Sequence, residues 1–445
     1  MSEATKKTTA THSMMLAKKV RGMIKELARK THEAKANGEP VAYLFIASSY
    51  DDILRAMGIA TVGTENYAGV CAAKMHAERF LAKAEEEGYA RHLCTYATVG
   101  LGFDAIRKEL GGMPENAPDG GMAFPTIMLG TGMNICDPRY KWYQAAQRYN
   151  GAPMHVLGLL NPPAYSTHTD LEEYRGYYIE YLVEELRELV GVLEKITGKR
   201  MDWDRLSEVV DLSERTLAKW YHAYQLRKAV PAPMPTEDAL SIMVPGNFML
   251  GSQEAYDFYS DLYDELKHRV DNGIGTIEDE KYRLLWGLSL PPWYALTIFN
   301  YFESQGAVFP IEAVYNQGRD HQIPASVTDP LERIARRFYD SITSYYAKAR
   351  AHTGHPTVEW MLDLIEDYKC DAVVFHQAMT CRTVHTGQLN QIHTLKKYSD
   401  RPVLLLEGDI VDVRNYDESL TRQKVDAFVE VVDQHKRSTE GWASA

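Results

Sequence analysis

Short apolar runs, each about as long as one buried strand, recur along the chain between stretches with helical periodicity. A strand covered by helices on both faces of its sheet is apolar at nearly every position. Such runs alternate with helices in proteins that carry parallel sheets. They are VAYLFIA (41–47), FPTIMLG (124–130), PMHVLGLL (153–160), GAVFPIEAVY (306–315), DAVVFH (371–376) and PVLLLE (402–407). The pattern predicts α/β structure in two separate parts of the chain.

The strand signal fades between about residues 170 and 280, where amphipathic helical patterns take over. We therefore expect an α/β protein of two parallel-sheet lobes, Rossmann- or flavodoxin-like, with a helical N-terminus and a helical insertion between the lobes. The expected boundaries are an N-terminal helical segment at 1–40, the first lobe at 41–170, the helical region at 171–285 and the second lobe at 286–445.

Composition narrows the class of function. The 445 residues carry a net charge of -12, and no basic stripe indicates a nucleic-acid partner. The sequence holds no apolar run of the roughly 18 residues that a membrane helix needs, and the polar start MSEATKKTTATHS lacks a secretory core. We expect a cytoplasmic protein. No G-x-x-x-x-G-K-[ST] occurs, so we expect no ATP bound by this chain.

The chain has five cysteines and no C-x-x-C, so any metal site must be assembled from distant segments. Cys136 follows the run at 124–130 much as Cys381 follows the run at 371–376. Ligands of open α/β sheets bind beyond the carboxyl ends of strands, so two facing lobes could bring these thiols together. Cys71 and Cys370 fit buried packing positions better than chemistry.

Three interpretations of Cys381 stay open at this point. His385 lies four residues further on and could act as the base for a nucleophilic thiol in a hydrolase or acyltransferase. Cys94, Cys136 and Cys381 with one histidine could hold zinc. The same three thiolates could hold a [4Fe–4S] cluster with one open iron.

Five stretches together resemble the 2-hydroxyacyl-CoA dehydratase / benzoyl-CoA reductase family. They are HLCTYATVGLG, NICDPRYKWYQAAQRYNGAPMHVL, YDELKHRVDNGIGTIEDEKYRLLWGLSLPPW, VVFHQAMTCRTVHTGQL and PVLLLEGDIVDVRNYDESLTRQKVDAFVEVV. The resemblance covers roughly residues 40 to 435, and within the family the chain is most similar to the larger iron–sulfur catalytic subunit of ATP-dependent (class I) reductases.

The resemblance implies a [4Fe–4S] cluster held by three cysteines, with a non-cysteine site on the fourth iron. The implied ligands are Cys94 of LCTY, Cys136 of ICDP and Cys381 of MTCR. The implied partners are a smaller homologous iron–sulfur subunit, ATP-hydrolysing activator subunits with a further cluster, and a low-potential electron donor such as ferredoxin. No nucleic acid or membrane is implied.

The implied substrate is a CoA thioester. In the reductase branch, two electrons and two protons convert an aromatic ring to a cyclic dienoyl-CoA. In the dehydratase branch, a recycled electron drives the radical elimination of water. A third possibility is a cluster-bearing relay subunit whose partner binds the substrate.

His376 and His385 flank Cys381 and are candidate proton donors or cluster tuners, because histidine transfers protons near neutral pH. A hydrogen-bonded structural role is equally compatible with the sequence. Glu407, Asp409 and Asp412 of EGDIVD could form a hard-metal site, but solvated carboxylates and helix caps are favoured there.

Overall fold

The computed structural model describes residues 13–46, 50–131, 136–158, 171–316 and 318–443. The first sheet contains four parallel strands in the order β2-β1-β3-β4. Their bounds are β1 Val41–Leu44, β2 Ala60–Gly63, β3 Ile127–Thr131 and β4 Met154–Leu157. The helices of this part are α1 Met15–Ala36, α2 Asp51–Ala56, α3 Thr64–Ala73, α4 Ala77–Glu86, α5 Thr95–Leu110 and α6 Asp137–Asn150, with a 3-10 turn at Pro118–Gly120.

Among the described residues between the two sheets, all regular secondary structure is helical. They are α7 Leu171–Thr197, α8 Trp203–Gln225, α9 Thr236–Phe248 and α10 Gln253–Asp271, with a 3-10 turn at Leu226–Lys228. Side chains at helix starts accept backbone hydrogen bonds: Asp202 from Arg205 before α8, and Ser252 from Ala255 before α10.

The second sheet also has four parallel strands, in the order β6-β5-β7-β8. The strands are β5 Tyr282–Trp286, β6 Ala307–Glu312, β7 Ala372–Ala378 and β8 Val403–Gly408. The helices are α11 Thr297–Ser304, α12 Pro330–Thr343, α13 Tyr346–Ala351, α14 Pro356–Asp367, α15 Arg382–His385, α16 Gln388–Tyr398 and α17 Glu418–Ala443, with 3-10 turns at Trp293–Ala295 and Val413–Asn415.

The two sheets share one strand order, because in each the first strand of the part pairs with its second and third strands. This is the order of flavodoxin-like sheets, in which ligands bind where the order reverses, between the first and third strands. Strands β3 and β7 are therefore equivalent, and Cys136 and Cys381 follow them respectively. The prediction of an α/β protein with two parallel-sheet lobes and a helical N-terminus is confirmed.

Two strands escaped the sequence prediction. Strand β2 is short and only half-buried, which weakens its apolar signal. Strand β5 carries Arg283, a buried charge paired with Glu280, in the middle of an apolar run. Strand β5 also crosses the expected boundary between residues 285 and 286.

A continuous core joins the two sheets through the helical region. One cluster of buried side chains includes Leu44 of β1, Trp220 of α8 and Phe375 of β7. A second cluster is centred on the first sheet, yet it takes in Cys381 from the second. No helix in the described ranges is long and apolar enough to cross a membrane.

Glycine allows α4 and α5 to pack backbone against backbone. A Cβ added at Gly102 would lie only 1.8 Å from the carbonyl oxygen of Phe80. Because a backbone carbonyl cannot rotate away, this contact requires glycine. The packing fixes helix α5, which begins directly after Cys94.

Candidate functional site

Each of the three predicted ligand cysteines immediately precedes a helix. Cys94 lies before α5, Cys136 before α6 and Cys381 before α15. In all three, a backbone N–H at the start of the helix favours the thiolate form. Helix N-termini carry a positive partial charge, so this position suits a sulfur that must become an anion. We call these residues the cysteine triad.

The members of the cysteine triad are close enough to raise one another's pKa. Burial raises the pKa of Cys94 well above its usual value, and the nearby thiols of Cys136 and Cys381 raise it further. Burial also raises the pKa of Cys381 to about 12, with Cys136 adding to the effect. Without a cationic partner these thiols are therefore protonated at neutral pH. Metal coordination is the ordinary way to deprotonate such a group.

The two lobes meet at the cysteine triad. The Cys136 thiol of the first lobe lies against the Thr383 hydroxyl of the second, which lowers the thiol's pKa against the larger effect of burial. An ion pair of 3.9 Å joins Arg382 to Asp137 beside it. These contacts between the lobes bring together the two strand ends that Cys136 and Cys381 follow, as the sequence predicts.

Asp409 ties Cys94 to Cys381 through their chain neighbours. This fully buried carboxylate accepts hydrogen bonds from the Thr95 hydroxyl at 2.7 Å and the Thr380 hydroxyl at 2.6 Å. It also accepts from the backbone N–H groups of Thr380, Val411 and Asp412. Five donors therefore converge on one side chain that follows strand β8. Sequence interpretation had favoured only caps and solvated carboxylates here.

The acidic residues of EGDIVD do not gather round one ion. Glu407 is exposed and pairs with Lys424 at 2.8 Å, whereas Asp412 accepts from the backbone N–H of Arg414 as a helix cap. Within the described part of the chain, no three Cys, His, Asp or Glu side chains are close enough to hold a single metal ion. The exposed Glu407 and the capping Asp412 agree with the solvated and capping roles that the sequence favours for the carboxylates of EGDIVD.

His385 is engaged with backbone at both ring nitrogens. Nδ1 lies 2.8 Å from the carbonyl oxygen of Cys381, and Nε2 lies 3.0 Å from the N–H of Ala378 and 2.9 Å from the carbonyl oxygen of His376. These contacts fix the loop between β7 and α15. Neither nitrogen is directed at the Cys381 thiol, so the nucleophile–base pair of a hydrolase is not formed.

His376 lies in the core of the second lobe. Its Nδ1–H donates to the carbonyl oxygen of Leu290 at 2.7 Å, and Nε2 is buried without a protein partner. Burial lowers the pKa of His376 to about 4. A ring that is neutral at pH 7 is a poor proton donor, so the geometry favours the structural alternative for both histidines.

Cys71 and Cys370 occupy other positions in the fold than the members of the cysteine triad. Cys71 is buried within α3, and Cys370 is buried just before β7. Burial raises the pKa of each thiol to about 12. These positions agree with the packing role predicted for them.

Three aromatic side chains beside the triad were missed by the sequence analysis. Tyr96, Trp293 and Tyr315, which we call the aromatic trio, line a cavity of about 150 Å³. The indole N–H of Trp293 donates to the Tyr96 hydroxyl, which lies 3.1 Å from the Tyr315 hydroxyl. Tyr96 is two residues past Cys94, and the Cys381 thiol contributes to raising the pKa of Tyr315, after the larger effect of burial. The cavity therefore lies next to the triad.

An ion pair between Glu65 and Arg139 lies at the wall of this cavity. Glu65 lines the cavity and accepts two hydrogen bonds from Arg139, at 3.0 and 2.7 Å. The negative charge of Glu65 raises the pKa of all three thiols of the cysteine triad, although less than burial does. One nitrogen of Arg139, Nη1, is buried without a protein partner. The site thus offers aromatic walls, hydroxyl donors and one unused cationic donor.

Comparison with known proteins matches this architecture to one family. Residues 50–432 match the family model described as 2-hydroxyglutaryl-CoA dehydratase, D-component, and the chain belongs to that family. It is 25% identical to the (R)-phenyllactyl-CoA dehydratase alpha subunit of Clostridium sporogenes, over 90% of this chain and 91% of that protein.

Two further relatives represent both branches of the family. The chain is 24% identical to the alpha subunit of lactoyl-CoA dehydratase from Anaerotignum propionicum, over 92% of this chain and 94% of the relative. It is 23% identical to one of the subunits of benzoyl-CoA reductase from Thauera aromatica, over 92% of this chain and 93% of the relative. The resemblance inferred from the motifs is confirmed, and the chain is an enzyme subunit of the class that acts on CoA thioesters.

Proposed function

We propose that this chain is the [4Fe–4S]-containing catalytic subunit of an ATP-dependent benzoyl-CoA reductase. The reaction adds two electrons and two protons to the ring of an aromatic CoA thioester and yields a cyclic dienoyl-CoA. The observation that carries the proposal is the cavity lined by Tyr96, Trp293 and Tyr315, of which Tyr96 lies two residues past Cys94 and Tyr315 has its pKa raised by burial and by the Cys381 thiol. A planar ring packs well against aromatic walls.

The donor set of the triad fits an iron–sulfur cluster. Three thiols from two lobes lie close enough for Cys136 and Cys381 to add to the effect of burial in raising the pKa of Cys94, and thiolates that hold a [4Fe–4S] cluster bind different irons. Each thiol lies at a helix N-terminus, which stabilises the anion that an iron requires. Cys94, Cys136 and Cys381 would hold the cluster, which would supply single electrons at low potential.

The size of the cavity suits an acyl-CoA. A second cavity of about 380 Å³ shares Ile46 and Tyr315 with the first and has a mostly apolar lining that also includes Arg319 and His321. Together the two volumes fall in the range of roughly 300–1,000 Å³ that is typical of ligand sites. We propose that the ring enters the aromatic cavity and that the thioester arm extends into the second one.

Partners follow from the names of the relatives. Each of the three is named as one subunit of an enzyme, and such names belong to assemblies of several chains. We propose a smaller homologous iron–sulfur subunit, an ATP-hydrolysing activator with its own cluster, and a low-potential electron donor such as ferredoxin. The lack of a P-loop motif in this sequence agrees with ATP hydrolysis by a separate chain.

A 2-hydroxyacyl-CoA dehydratase subunit is the second candidate. It is favoured by a specific observation, since the family model and four of the five relatives are named for dehydratases. The phenyllactyl-CoA enzyme among them is named for a substrate that also carries an aromatic ring. An aromatic cavity is therefore compatible with either reaction.

Cysteine substitution tests the cluster. Each of Cys94→Ala, Cys136→Ala and Cys381→Ala, purified without oxygen, should lose the brown colour and most of the iron. Cys71→Ala and Cys370→Ala are matched controls, because these buried thiols lie within α3 and just before β7 and are predicted to fill packing positions, and they should keep the iron. A colourless wild-type protein that contains zinc would refute the cluster.

Electron counting separates the two reactions. The complex with its partners is given ATP, a strong reductant and either benzoyl-CoA or (R)-phenyllactyl-CoA. The reductase consumes two electrons for each dienoyl-CoA formed, whereas the dehydratase turns over many times after one activating electron. Turnover of neither thioester, or binding of thioester by the partner chain alone, would contradict both assignments and favour the relay role.

A further inference from the structure

The aromatic trio forms a hydrogen-bonded chain. An indole N–H can only donate, so Trp293 donates to the oxygen of Tyr96. The Tyr96 and Tyr315 hydroxyls are 3.1 Å apart, and either can donate to the other; the arrangement that frees the Tyr315 proton for a ligand has Tyr96 as the donor. In this arrangement each of the first two donors is satisfied. The Tyr315 proton has no further partner among the described residues, and Tyr315 lines both cavities.

The backbone at Tyr315 supports a dedicated role for its side chain. Its φ of 60° lies in the left-handed region, which bulky residues rarely adopt. The residue follows strand β6, at the carboxyl end of the second sheet, where ligands of such sheets bind. Its ring also packs against Trp293, with centroids 5.8 Å apart. Strained residues of this kind concentrate at functional sites, and here the strain accompanies an oriented hydroxyl.

We propose that Tyr315 donates a hydrogen bond to the acyl oxygen of the bound CoA thioester, and that Tyr96 and Trp293 orient the Tyr315 hydroxyl for this contact. This inference rests on the proposed function. Tyr315 is then a catalytic residue, because it contacts the reacting group, and Tyr96 and Trp293 are positioning residues.

The contact strengthens as the reaction proceeds. When the substrate accepts an electron, negative charge accumulates on the acyl oxygen, and a preoriented donor stabilises that charge more than it stabilises the neutral thioester. Burial raises the pKa of Tyr315, so the phenol keeps its proton and acts as a hydrogen-bond donor at neutral pH. The same contact serves ring reduction and dehydration, since both begin with an electron added to the thioester.

Infrared spectroscopy of bound thioester tests the contact without turnover. Benzoyl-CoA labelled with ¹³C at the acyl carbon is bound to the complex in the absence of reductant. The acyl C=O stretch should shift to lower frequency in wild type, and Tyr315→Phe should move it back towards its value for the thioester without a donor. Tyr301→Phe is the matched control, because its exposed hydroxyl bonds to Asp426 far from the cysteine triad.

Kinetics of the loaded complex give a second readout. Tyr315→Phe should lower kcat by about 100-fold, as loss of one oxyanion donor does, with KM nearly unchanged. Tyr96→Phe should lower kcat less and should return the C=O stretch only part of the way. If Tyr315→Phe loses its iron or fails to fold, Tyr96→Phe decides, and unchanged frequency and rate in that variant would overturn the inference.

Failure of the inference differs from failure of the proposed function. An acyl C=O frequency that is the same in wild type and Tyr315→Phe, with benzoyl-CoA bound to both, overturns the contact and leaves the function intact. A wild-type complex that binds neither benzoyl-CoA nor phenyllactyl-CoA overturns the function and the contact together.

Discussion

The hydrogen bonds of Asp409 lead to a quantitative prediction for the variant Asp409→Ala. Removal of the carboxylate leaves the donors that converge on it without their hydrogen-bond acceptor. The hydroxyls of Thr95 and Thr380 are 3.1 Å apart and can bond to each other. The backbone N–H groups of Thr380, Val411 and Asp412 have no such substitute.

A buried donor left without a partner costs about 1–3 kcal/mol. Three N–H groups without an acceptor, at the low end of that range, cost about 3 kcal/mol. We expect the total loss of local stability to be about 3–5 kcal/mol once the weakened contact between the lobes is included. Asp409→Asn keeps one acceptor oxygen, so it should cost about 1–2 kcal/mol.

Hydrogen exchange followed by mass spectrometry measures this loss where it occurs. A local loss of 3–5 kcal/mol speeds exchange by roughly 10²–10³-fold or more, and the effect should appear both at the start of α5 and in the loop before α15. Asp261→Ala removes only an exposed partner of Lys19 and should leave exchange unchanged. The iron content of Asp409→Ala should fall as well. Wild-type exchange in both segments, with wild-type iron, would refute the reasoning.

Three further predictions concern the scaffold. Gly102→Ala puts a Cβ 1.8 Å from a backbone carbonyl of α4 and should cost at least about 1–3 kcal/mol in urea unfolding, whereas Gly112→Ala meets nothing within 4 Å and should be neutral. Arg227→Met leaves the buried Glu312 without its partner and should cost about 3–5 kcal/mol, and adding Glu312→Gln should recover much of it; equal stability of the single and double variants would contradict this. Because burial lowers the pKa of His376 to about 4, the unfolded chain binds a proton at this residue between pH 6.5 and about 4 and the folded chain does not. About 3 kcal/mol of the free energy of unfolding that is present above pH 6.5 should therefore be lost as the pH falls, and His376→Gln should not show this loss.

Periodicity and apolar runs sufficed for the class of fold. Most strands are short, largely apolar and bounded by turn residues, so they stand out in the sequence. Strand β5 did not, because its buried Arg283 is neutralised by Glu280 and bonded to the carbonyl of Tyr368, and these contacts form only in the folded chain. Strand β2 did not, because its four residues, three of them half-buried, carry little pattern.

The site was predictable to a lesser degree. Strand-end placement pointed to Cys136 and Cys381. Cys94 follows no predicted strand, so it was one possible ligand among several until the resemblance implied it. Tyr96 had one usable signal, since it belongs to the LCTY motif. Tyr315 had none, because it is one of 28 tyrosines and its importance depends on a backbone angle and on residues distant in sequence. The roles of His376 and His385 as proton donors or cluster tuners stay predictions, and in the structure the Nδ1 atoms of the two rings contact the backbone carbonyl oxygens of Leu290 and Cys381.

The division of the cysteine triad between two lobes has a consequence for biosynthesis. The threonines that Asp409 draws together are 285 positions apart, so at about 5–20 residues per second the ribosome needs roughly 15–60 s to pass from one to the other. For much of that interval the nascent chain contains Cys94 and Cys136 but not yet Cys381. A cofactor that requires all three thiols can be inserted only after release of nearly the whole chain. For the proposed cluster, insertion is then a late step in the biosynthesis of the protein, and the early thiols need protection from oxidation until it occurs.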